Sequence, residues 1–235
     1  QTCALPICVA LVGYTNAGKS TLMRALTGND VLVADKLFAT LDTTVRTLQP
    51  ETVPRVLVSD TVGFIKNLPH DLVASFKSTL DEALESSLLV HVIDASDGDW
   101  ERQLAVTEEV LAEIGAGEVS RLHVFNKIDK VEDEALRSAR ESFLRGKYPG
   151  CVVMSAYRPE DVARLHDVLA AFFQKDLGEA ELFVPWSAQR LRGEIFGECV
   201  VLDEKAEDDG TRFRVRAEAA TLNRLRQQLE ASPEA

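Results

Sequence analysis

The sequence lacks most of the features that mark secreted, membrane-spanning and nucleic-acid-coating proteins. It has only 4 cysteines and no CxxC pair, so a disulfide scaffold is excluded and a reduced, cytoplasmic setting is expected. No apolar run approaches the roughly 18 residues of a membrane-spanning helix. Acidic residues outnumber basic ones by 38 to 26, for a net charge of −12, which excludes an extended basic surface that neutralises nucleic-acid phosphates unaided. We therefore expect neither a membrane nor DNA as a partner.

The remaining composition is that of an ordinary globular protein. Of its 235 residues, 46% are hydrophobic and 27% are charged, which suits one large domain and a smaller one. The chain begins with Gln1, and its first residues show no signal-peptide pattern. We expect residues 1–6 to be a linker or a non-native start, and the chain to be a fragment of something longer. A monomer is expected.

Strand-like and helical segments alternate along the first three quarters of the chain. The strand-like runs are ICVALVG (7–13), VPRVLVSD (53–60), LLVHVID (88–94), RLHVFN (121–126) and GCVVMSA (150–156). This alternation predicts an α/β fold over residues 7–176, with a mostly parallel six-stranded sheet and helices on both faces. In such sheets, ligands bind beyond the carboxyl ends of the strands.

The pattern changes after Gly178. Residues 181–231 predict a small α+β C-terminal domain of order β-α-β-β-α. Its strand at 211–219 alternates apolar residues with Arg212, Arg214 and Arg216, which predicts one buried and one solvated face. The arginines are either simply the wet face of this strand or a local patch for RNA or protein, and the pattern leaves both interpretations open.

The first strand runs into GYTNAGKS, a G-x-x-x-x-G-K-[ST] motif followed by a helical stretch. Backbone N–H groups of such a loop wrap a phosphate, and the following helix directs its positive N-terminus at the anion. Lys19 is expected to reach the β- and γ-phosphates, and Ser20 to ligate Mg²⁺. The predicted nucleotide-binding residues of this loop are Gly13, Tyr14, Thr15, Asn16, Ala17, Gly18, Lys19, Ser20 and Thr21.

A second motif, DTVG, closes the third strand. Its carboxylate, Asp60, is expected beside the first strand, where it holds Mg²⁺ through water, and the Gly63 amide is expected to meet the γ-phosphate. Thr61 and Val62 complete the motif. Alone D-x-x-G is a common strand-ending turn, and it gains its meaning from the loop at Gly13.

A third motif, NKID, closes the fifth strand and indicates which base is bound. A carboxylate pairs with two adjacent donors, which guanine offers and adenine does not, so Asp129 predicts GTP and GDP as ligands and argues against an ATP-using phosphotransferase. Asn126 is expected to tie this loop to the phosphate loop, and the Lys127 stem to lie over the base. Beyond the sixth strand, a backbone N–H of Ser155 or Ala156 is expected to meet the guanine carbonyl, with Tyr157 adjoining.

These motifs, in this order, resemble those of the TRAFAC GTPases. LFATLD (37–42), DTVGFIKNLPHDLVASFKSTL (60–80) and VHVIDASD (90–97) resemble the HflX family of the Obg-HflX group. The resemblance implies a P-loop NTPase G domain, GTP hydrolysis as a conformational switch, and a ribosomal partner, the large subunit, in ribosome dissociation, rescue or assembly. It also implies that Thr40 of the mobile segment ligates Mg²⁺ and covers the γ-phosphate, with Thr44 second, and that Phe38, Ala39, Leu41 and Asp42 flank the nucleotide.

Two further positions bear on catalysis. Phe64 follows DTVG where Ras-like enzymes carry a water-positioning glutamine, so we expect slow hydrolysis until the ribosome supplies a polar group. The alternative is a nucleotide-gated binding module of ribosome or RNA, in which turnover is only a slow reset. Asn16 permits K⁺ as an additional cation, although it equally fits a purely structural role. The histidines show no metal-ligand spacing, and His91 and His123, in strands, are expected to pack.

Overall fold

The computed structural model describes residues 7–28, 44–61 and 84–230. The described chain forms two compact units. The first comprises its residues up to Glu51 together with Val56–His166, and the second comprises Thr52–Arg55 and the residues from Asp167 onward. The predicted domain limits, 7–176 and 181–231, stay predictions.

A six-stranded sheet of order β2-β3-β1-β4-β5-β6 forms the centre of the first unit. All neighbouring pairs are parallel except β2 with β3, as predicted for an α/β sheet. The spacing of Leu72, Phe76, Leu80 and Leu84 predicts a further helix, and all of these residues except Leu84 lie outside the described residues. The strands and helices up to residue 174 are β1 (Ile7–Val12), α1 (Lys19–Thr27), β2 (Thr44–Thr47), β3 (Val56–Asp60), β4 (Leu88–Asp94), α2 (Trp100–Glu113), β5 (Arg121–Asn126), α3 (Glu134–Lys147), β6 (Val152–Val153) and α4 (Pro159–Gln174).

The central strands β1 and β4 are nearly continuous apolar runs because both of their faces are covered. Every residue of β4 up to Ile93 is buried, and so are Val9, Ala10, Leu11 and Val12 of β1. Polar residues come at the strand ends, where Asp60, Asp94 and Asn126 close β3, β4 and β5. The polar side chains that could bind a ligand therefore lie at the carboxyl edge of the sheet. Short 3-10 turns occur at Ala116–Glu118 and Ile128–Lys130.

The second unit holds a three-stranded antiparallel sheet of order β7-β9-β8. Its elements follow the predicted β-α-β-β-α order. They are β7 (Gly178–Pro185), a 3-10 turn (Trp186–Ala188), α5 (Arg190–Glu198), β8 (Val200–Glu207), β9 (Gly210–Ala217) and α6 (Ala219–Glu230). Phe213, Val215 and Ala217 of β9 join a core that also includes Leu191 and Leu225.

The opposite face of β9 carries the predicted arginines. Arg212 pairs with Glu207 of β8 at 2.8 Å, and Arg216 pairs with Glu179 of β7 at 3.3 Å. Arg214 lies 4.0 Å from the same Glu179. Because glutamates on both neighbouring strands offset these charges, the geometry favours the interpretation of a solvated face over that of a phosphate-binding patch. None of the helices within the described ranges is both long and apolar enough to cross a bilayer.

Candidate nucleotide-binding site

The loop between β1 and α1 has the backbone that its glycines predict. Gly13 has φ +147° and Gly18 has φ +101°, conformations that side chains oppose. A Cβ at Gly13 would overlap the Val92 carbonyl oxygen of β4, and one at Gly18 would overlap the Asn126 amide nitrogen. Gly18 is the N-cap residue of α1 and, as a glycine, provides no side-chain cap. The first-turn N–H groups of α1 are thus directed at the loop, as an anion site requires.

Lys19 is buried at the start of α1, with 6% of its surface exposed. Its Nζ donates to the carbonyl oxygens of Gly13 and Tyr14, each at 3.1 Å. Burial lowers the pKa of Lys19 to about 8, against the opposing effect of Asp60, while Lys127 lowers the pKa further. Its ammonium is thus held inside the loop by two carbonyls, at the place where phosphate oxygens would meet it.

Asp60 ends β3 beside β1, where it pairs in register with Leu11. It is 4% exposed, and its carboxylate acts electrostatically on Lys19. The adjoining Thr61 donates its hydroxyl to the Leu11 carbonyl at 2.7 Å, which fixes this strand end against β1. Ser20 lies in the first turn of α1. A hydroxyl and a carboxylate are the oxygen ligands that Mg²⁺ prefers, so the donor set fits this ion.

Asn126 joins three loops through one buried amide. Its Nδ2 donates to the Ala17 carbonyl of the phosphate loop at 3.1 Å. Its Oδ1 accepts from the Ala156 N–H at 2.9 Å. The side chain is 1% exposed, so both bonds are shielded from water. The tie to the phosphate loop is the arrangement that the sequence predicts, whereas the Ala156 N–H, one candidate donor to the guanine carbonyl, is engaged by Asn126.

Asp129 lies in the 3-10 turn that follows β5. Its Oδ1 is buried and has no hydrogen-bond partner among the residues that the structure describes. A buried acceptor without a partner is unfavourable by about 1–3 kcal/mol. Two adjacent N–H donors of a guanine ring would satisfy this carboxylate, and adenine offers no such pair.

Lys127 precedes this turn in a left-handed conformation, with φ 61°. Its Nζ donates to the Asn16 carbonyl of the phosphate loop and pairs with Asp94 at 2.8 Å. Asn16 itself has φ 61° and an exposed side chain. The Lys127 stem is thereby stretched between the end of β4 and the phosphate loop.

The sequence motifs assign no role to two supporting residues, Asp94 and Asp161. Asp94 ends β4 opposite Asn126 in register, pairs with Lys127 and accepts from Ser96 at 2.6 Å. Asp161 of α4 accepts the Ser155 N–H at 2.9 Å and is itself held by Arg164 at 2.8 Å. A polar residue at the end of an otherwise apolar strand is a readable signal for Asp94. The sequence shows no such signal for Asp161, because this residue lies on a helix face.

The other predicted residues divide into two groups. Tyr157 is 74% exposed and its N–H donates to Ser155 Oγ at 3.2 Å, next to the bond between Ala156 and Asn126. Thr15 and Thr21 are partly buried within the phosphate loop and α1. The remaining predicted residues lie outside the described residues. They are Phe38, Ala39, Thr40, Leu41, Asp42, Val62 and Gly63.

Comparison with known proteins agrees with this geometry. Residues 8–127, which include the phosphate loop, Asp60 and Asn126, match the family of the 50S ribosome-binding GTPases. The chain belongs to this family. Among curated members, GTPase HflX of Gluconacetobacter diazotrophicus is 58% identical over 95% of this chain, and GTPase HflX of Escherichia coli is 41% identical over 86%. The resemblance to HflX is therefore confirmed.

The chain spans about half the length of these curated relatives, 48% of the first and 47% of the second. Among solved structures, a GTP-binding protein of the archaeon Sulfolobus solfataricus in complex with GDP is similar, with a TM-score of 0.52 and 30% identity. The similarity covers 69% of this chain and 51% of that one. The predicted fold of a P-loop GTPase is confirmed.

Proposed function

We propose that this chain binds GTP with Mg²⁺ and hydrolyses it to GDP and phosphate, as the conformational switch of an HflX-type GTPase. The observation that carries the proposal is the Asn126 amide, which bonds the phosphate loop on one side and the Ala156 loop on the other. One buried side chain thereby sets the spacing between the phosphate end and the base end of the site. Membership of the 50S ribosome-binding GTPase family supports the proposal.

The proposed role of each site residue follows from its position. The N–H groups of the phosphate loop and the Lys19 ammonium bind and orient the phosphates, which is most of what a protein contributes to phosphoryl transfer. Ser20 and Asp60 would hold Mg²⁺, which when bound neutralises charge on the β- and γ-phosphates. Thr40 and Gly63 are proposed to close over the γ-phosphate and to be released after hydrolysis. This release would change the affinity of the chain for its partner.

Guanine specificity is proposed to come from Asp129. In Asp129→Asn, the side chain offers a donor in place of an acceptor, so preference should move from GDP toward xanthosine diphosphate by about 100-fold or more. Competition binding with GDP, xanthosine diphosphate and ADP measures this preference. Asp99→Asn, at an exposed aspartate, is the matched control and should bind as the unchanged chain does. An unchanged preference in Asp129→Asn would refute the assignment.

Phe64 motivates the proposed partner. A phenylalanine cannot orient water, so we propose that the isolated chain hydrolyses GTP slowly and that the large ribosomal subunit, which the family name indicates, stimulates it. The proposed setting is the cytoplasm, with a monomer acting in ribosome dissociation, rescue or assembly. Single-turnover hydrolysis with and without ribosomes, together with cosedimentation, tests this. A full rate without ribosomes, and no gain with them, would contradict it.

K⁺ dependence is proposed on the strength of Asn16. This residue occupies an exposed position of the phosphate loop, where a monovalent cation held near the phosphates would add positive charge as an arginine finger does. Hydrolysis should then run faster in KCl than in NaCl at equal ionic strength. Equal rates would leave Asn16 a structural residue.

A further inference from the structure

A group of metal-ligand side chains lies in the first unit, outside the predicted nucleotide-binding residues. His91 of β4, His123 of β5 and Glu108 of α2 each place one ligand atom so that all lie within 4.8 Å of one another. The positions of these residues along the chain show no metal-ligand spacing. The structure joins them because β4 and β5 are parallel neighbours with His91 opposite His123 in register, and α2 packs on the same face through Val110, Leu111 and Leu89.

The two histidines have unused ring nitrogens. His91 is 1% exposed, and its Nδ1 is buried without a hydrogen-bond partner among the described residues, as is Nε2 of His123. The rings lie 5.6 Å apart between centroids. Buried polar nitrogens normally find a partner, so two of them on adjacent rings point to a missing ligand rather than to packing alone.

Glu108 supplies the third donor and the charge. Its Oε1 lies 3.7 Å from His123 Nε2, and its side chain is 40% exposed, which leaves a path from solvent. Arg121 approaches the same oxygen only to 4.0 Å and donates instead to the Gly117 carbonyl at 2.7 Å. Within the described residues, the ion pair with Arg121 at 4.0 Å is therefore the contact to Glu108 with which a bound metal would have to compete.

We propose that His91, Glu108 and His123 form a binding site for a divalent transition metal of the Zn²⁺ class. Two imidazoles and one carboxylate are a donor set that Zn²⁺ takes, with water in a fourth position. Ligand atoms around tetrahedral Zn²⁺ lie about 3.4 Å apart, so ligand atoms that lie within 4.8 Å of one another need to approach by at most about 1.4 Å. Mg²⁺ prefers oxygen ligands and would not compete here.

The site would clamp the strands that carry the nucleotide loops. His91 and His123 each stand three residues before the strand-ending polar residues Asp94 and Asn126. A metal that joins both strands to α2 binds the folded chain and not the unfolded one, so it should raise the melting temperature. The melting temperature does not depend on GTP hydrolysis, so its measurement tests the metal site separately from the proposed function.

The test uses the untagged 235-residue chain, stripped of metal and then held with GDP and excess Mg²⁺. Zn²⁺ is added in equilibrium dialysis, and Co²⁺ serves as a spectroscopic probe. We expect one Zn²⁺ per chain, a rise in melting temperature, and a visible Co²⁺ spectrum of nitrogen and oxygen ligands without a thiolate band. Glu108→Gln and His123→Gln should each weaken binding by about tenfold or more.

Glu109→Gln is the matched control, because Glu109 is an exposed neighbour on the same helix, and it should bind as the unchanged chain does. Glu108→Gln alters a partly exposed side chain, so circular dichroism should show an intact fold and keep the test decisive. Absence of stoichiometric Zn²⁺ would overturn the proposal. So would binding that survives both variants, or a thiolate band that assigns the metal to cysteines.

Discussion

Asn126 makes the most consequential single side-chain contacts of the site. Removing its amide in Asn126→Ala leaves the Ala17 carbonyl and the Ala156 N–H, both in buried residues, without partners. Each such loss is worth about 1–3 kcal/mol, so the free energy of unfolding should fall by about 2 kcal/mol or more. GDP affinity should fall at least about tenfold, because the phosphate loop loses its spacer.

Chemical denaturation and GDP titration measure these two effects. Asn223→Ala, at an exposed position of α6, is the control and should change neither quantity. If Asn126→Ala kept full GDP affinity, the amide would be a packing feature and the observation behind the proposed function would lose its force.

Lys19 should make nucleotide binding depend on pH. Its pKa in the structure is about 8, and bound phosphates would raise it, since nearby anions favour the charged form. Binding therefore takes up a proton above pH 8, and affinity for GDP should fall as pH rises from about 8 to 9, by up to about tenfold per unit.

Titrations of GDP over this pH range check the expectation, and Lys19→Arg is the comparison. The guanidinium stays charged throughout, so that variant should show a flatter profile whatever its absolute affinity. Identical slopes in the two proteins would assign the pH dependence to another group. In the unfolded chain the lysine keeps its proton up to about 10.5. Burial of the charged lysine therefore opposes folding below pH 8, and the free energy of unfolding should rise as pH increases from about 8 to about 10.5.

At this scale, some residues were readable from the sequence and others were not. Gly13, Gly18 and Lys19 follow from a motif whose spacing is set by the geometry of a phosphate, and the structure supplies the expected backbone. Asp161 was not readable, since its contact with Ser155 depends on how the start of α4 lies against the loop after β6. Such contacts come from packing, for which a single sequence carries no period or spacing.

Among the elements, β4 and β5 determine most of the base end of the site. Asp94 closes β4 and Lys127 follows β5, and the ion pair between them is only 14% and 11% exposed at the two side chains. Removing one partner from a largely buried pair leaves the other charge uncompensated. Asp94→Ala should therefore loosen the NKID turn and weaken GDP binding by about three- to tenfold, an effect on the order of 1 kcal/mol.

A double-mutant cycle with Asp94→Ala and Lys127→Ala measures the coupling, which should exceed about 1 kcal/mol in the free energy of GDP binding. The exposed pair of Lys147 with Glu101 is the control, and exposed pairs typically couple by less than about 1 kcal/mol. Strictly additive effects of Asp94→Ala and Lys127→Ala would mean that the two strand ends act independently.

Strand pairing also explains what the sequence could show of the elements. The runs LLVHVID and RLHVFN coincide with β4 and β5, because a strand covered on both faces is a continuous apolar run. The sequence does not predict the register in which β4 and β5 pair, and therefore does not predict that His91 lies opposite His123. Register in a parallel sheet is set by helices and crossovers at a distance, so residues 32 positions apart carry no local signal that they are neighbours.

For the whole molecule, the placement of the site predicts what the C-terminal part contributes to nucleotide binding. Every site contact described above lies between Leu11 and Arg164, and α4 as a whole ends at Gln174. A chain shortened to residues 1–176 keeps α4 complete and with it Asp161, which holds the Ser155 N–H. We expect this shortened chain to bind GDP within about twofold of the full 235 residues.

Isothermal titration with GDP and circular dichroism check this expectation together, and Asp161→Ala in the full chain is the contrasting variant. That substitution leaves the Ser155 N–H without its acceptor and Arg164 without its carboxylate, so GDP affinity should fall by about three- to tenfold although no C-terminal residue is removed. If instead the shortened chain folded but lost GDP while Asp161→Ala kept it, the residues after 176 would take part in the site, and the predicted limit of the G domain would be wrong.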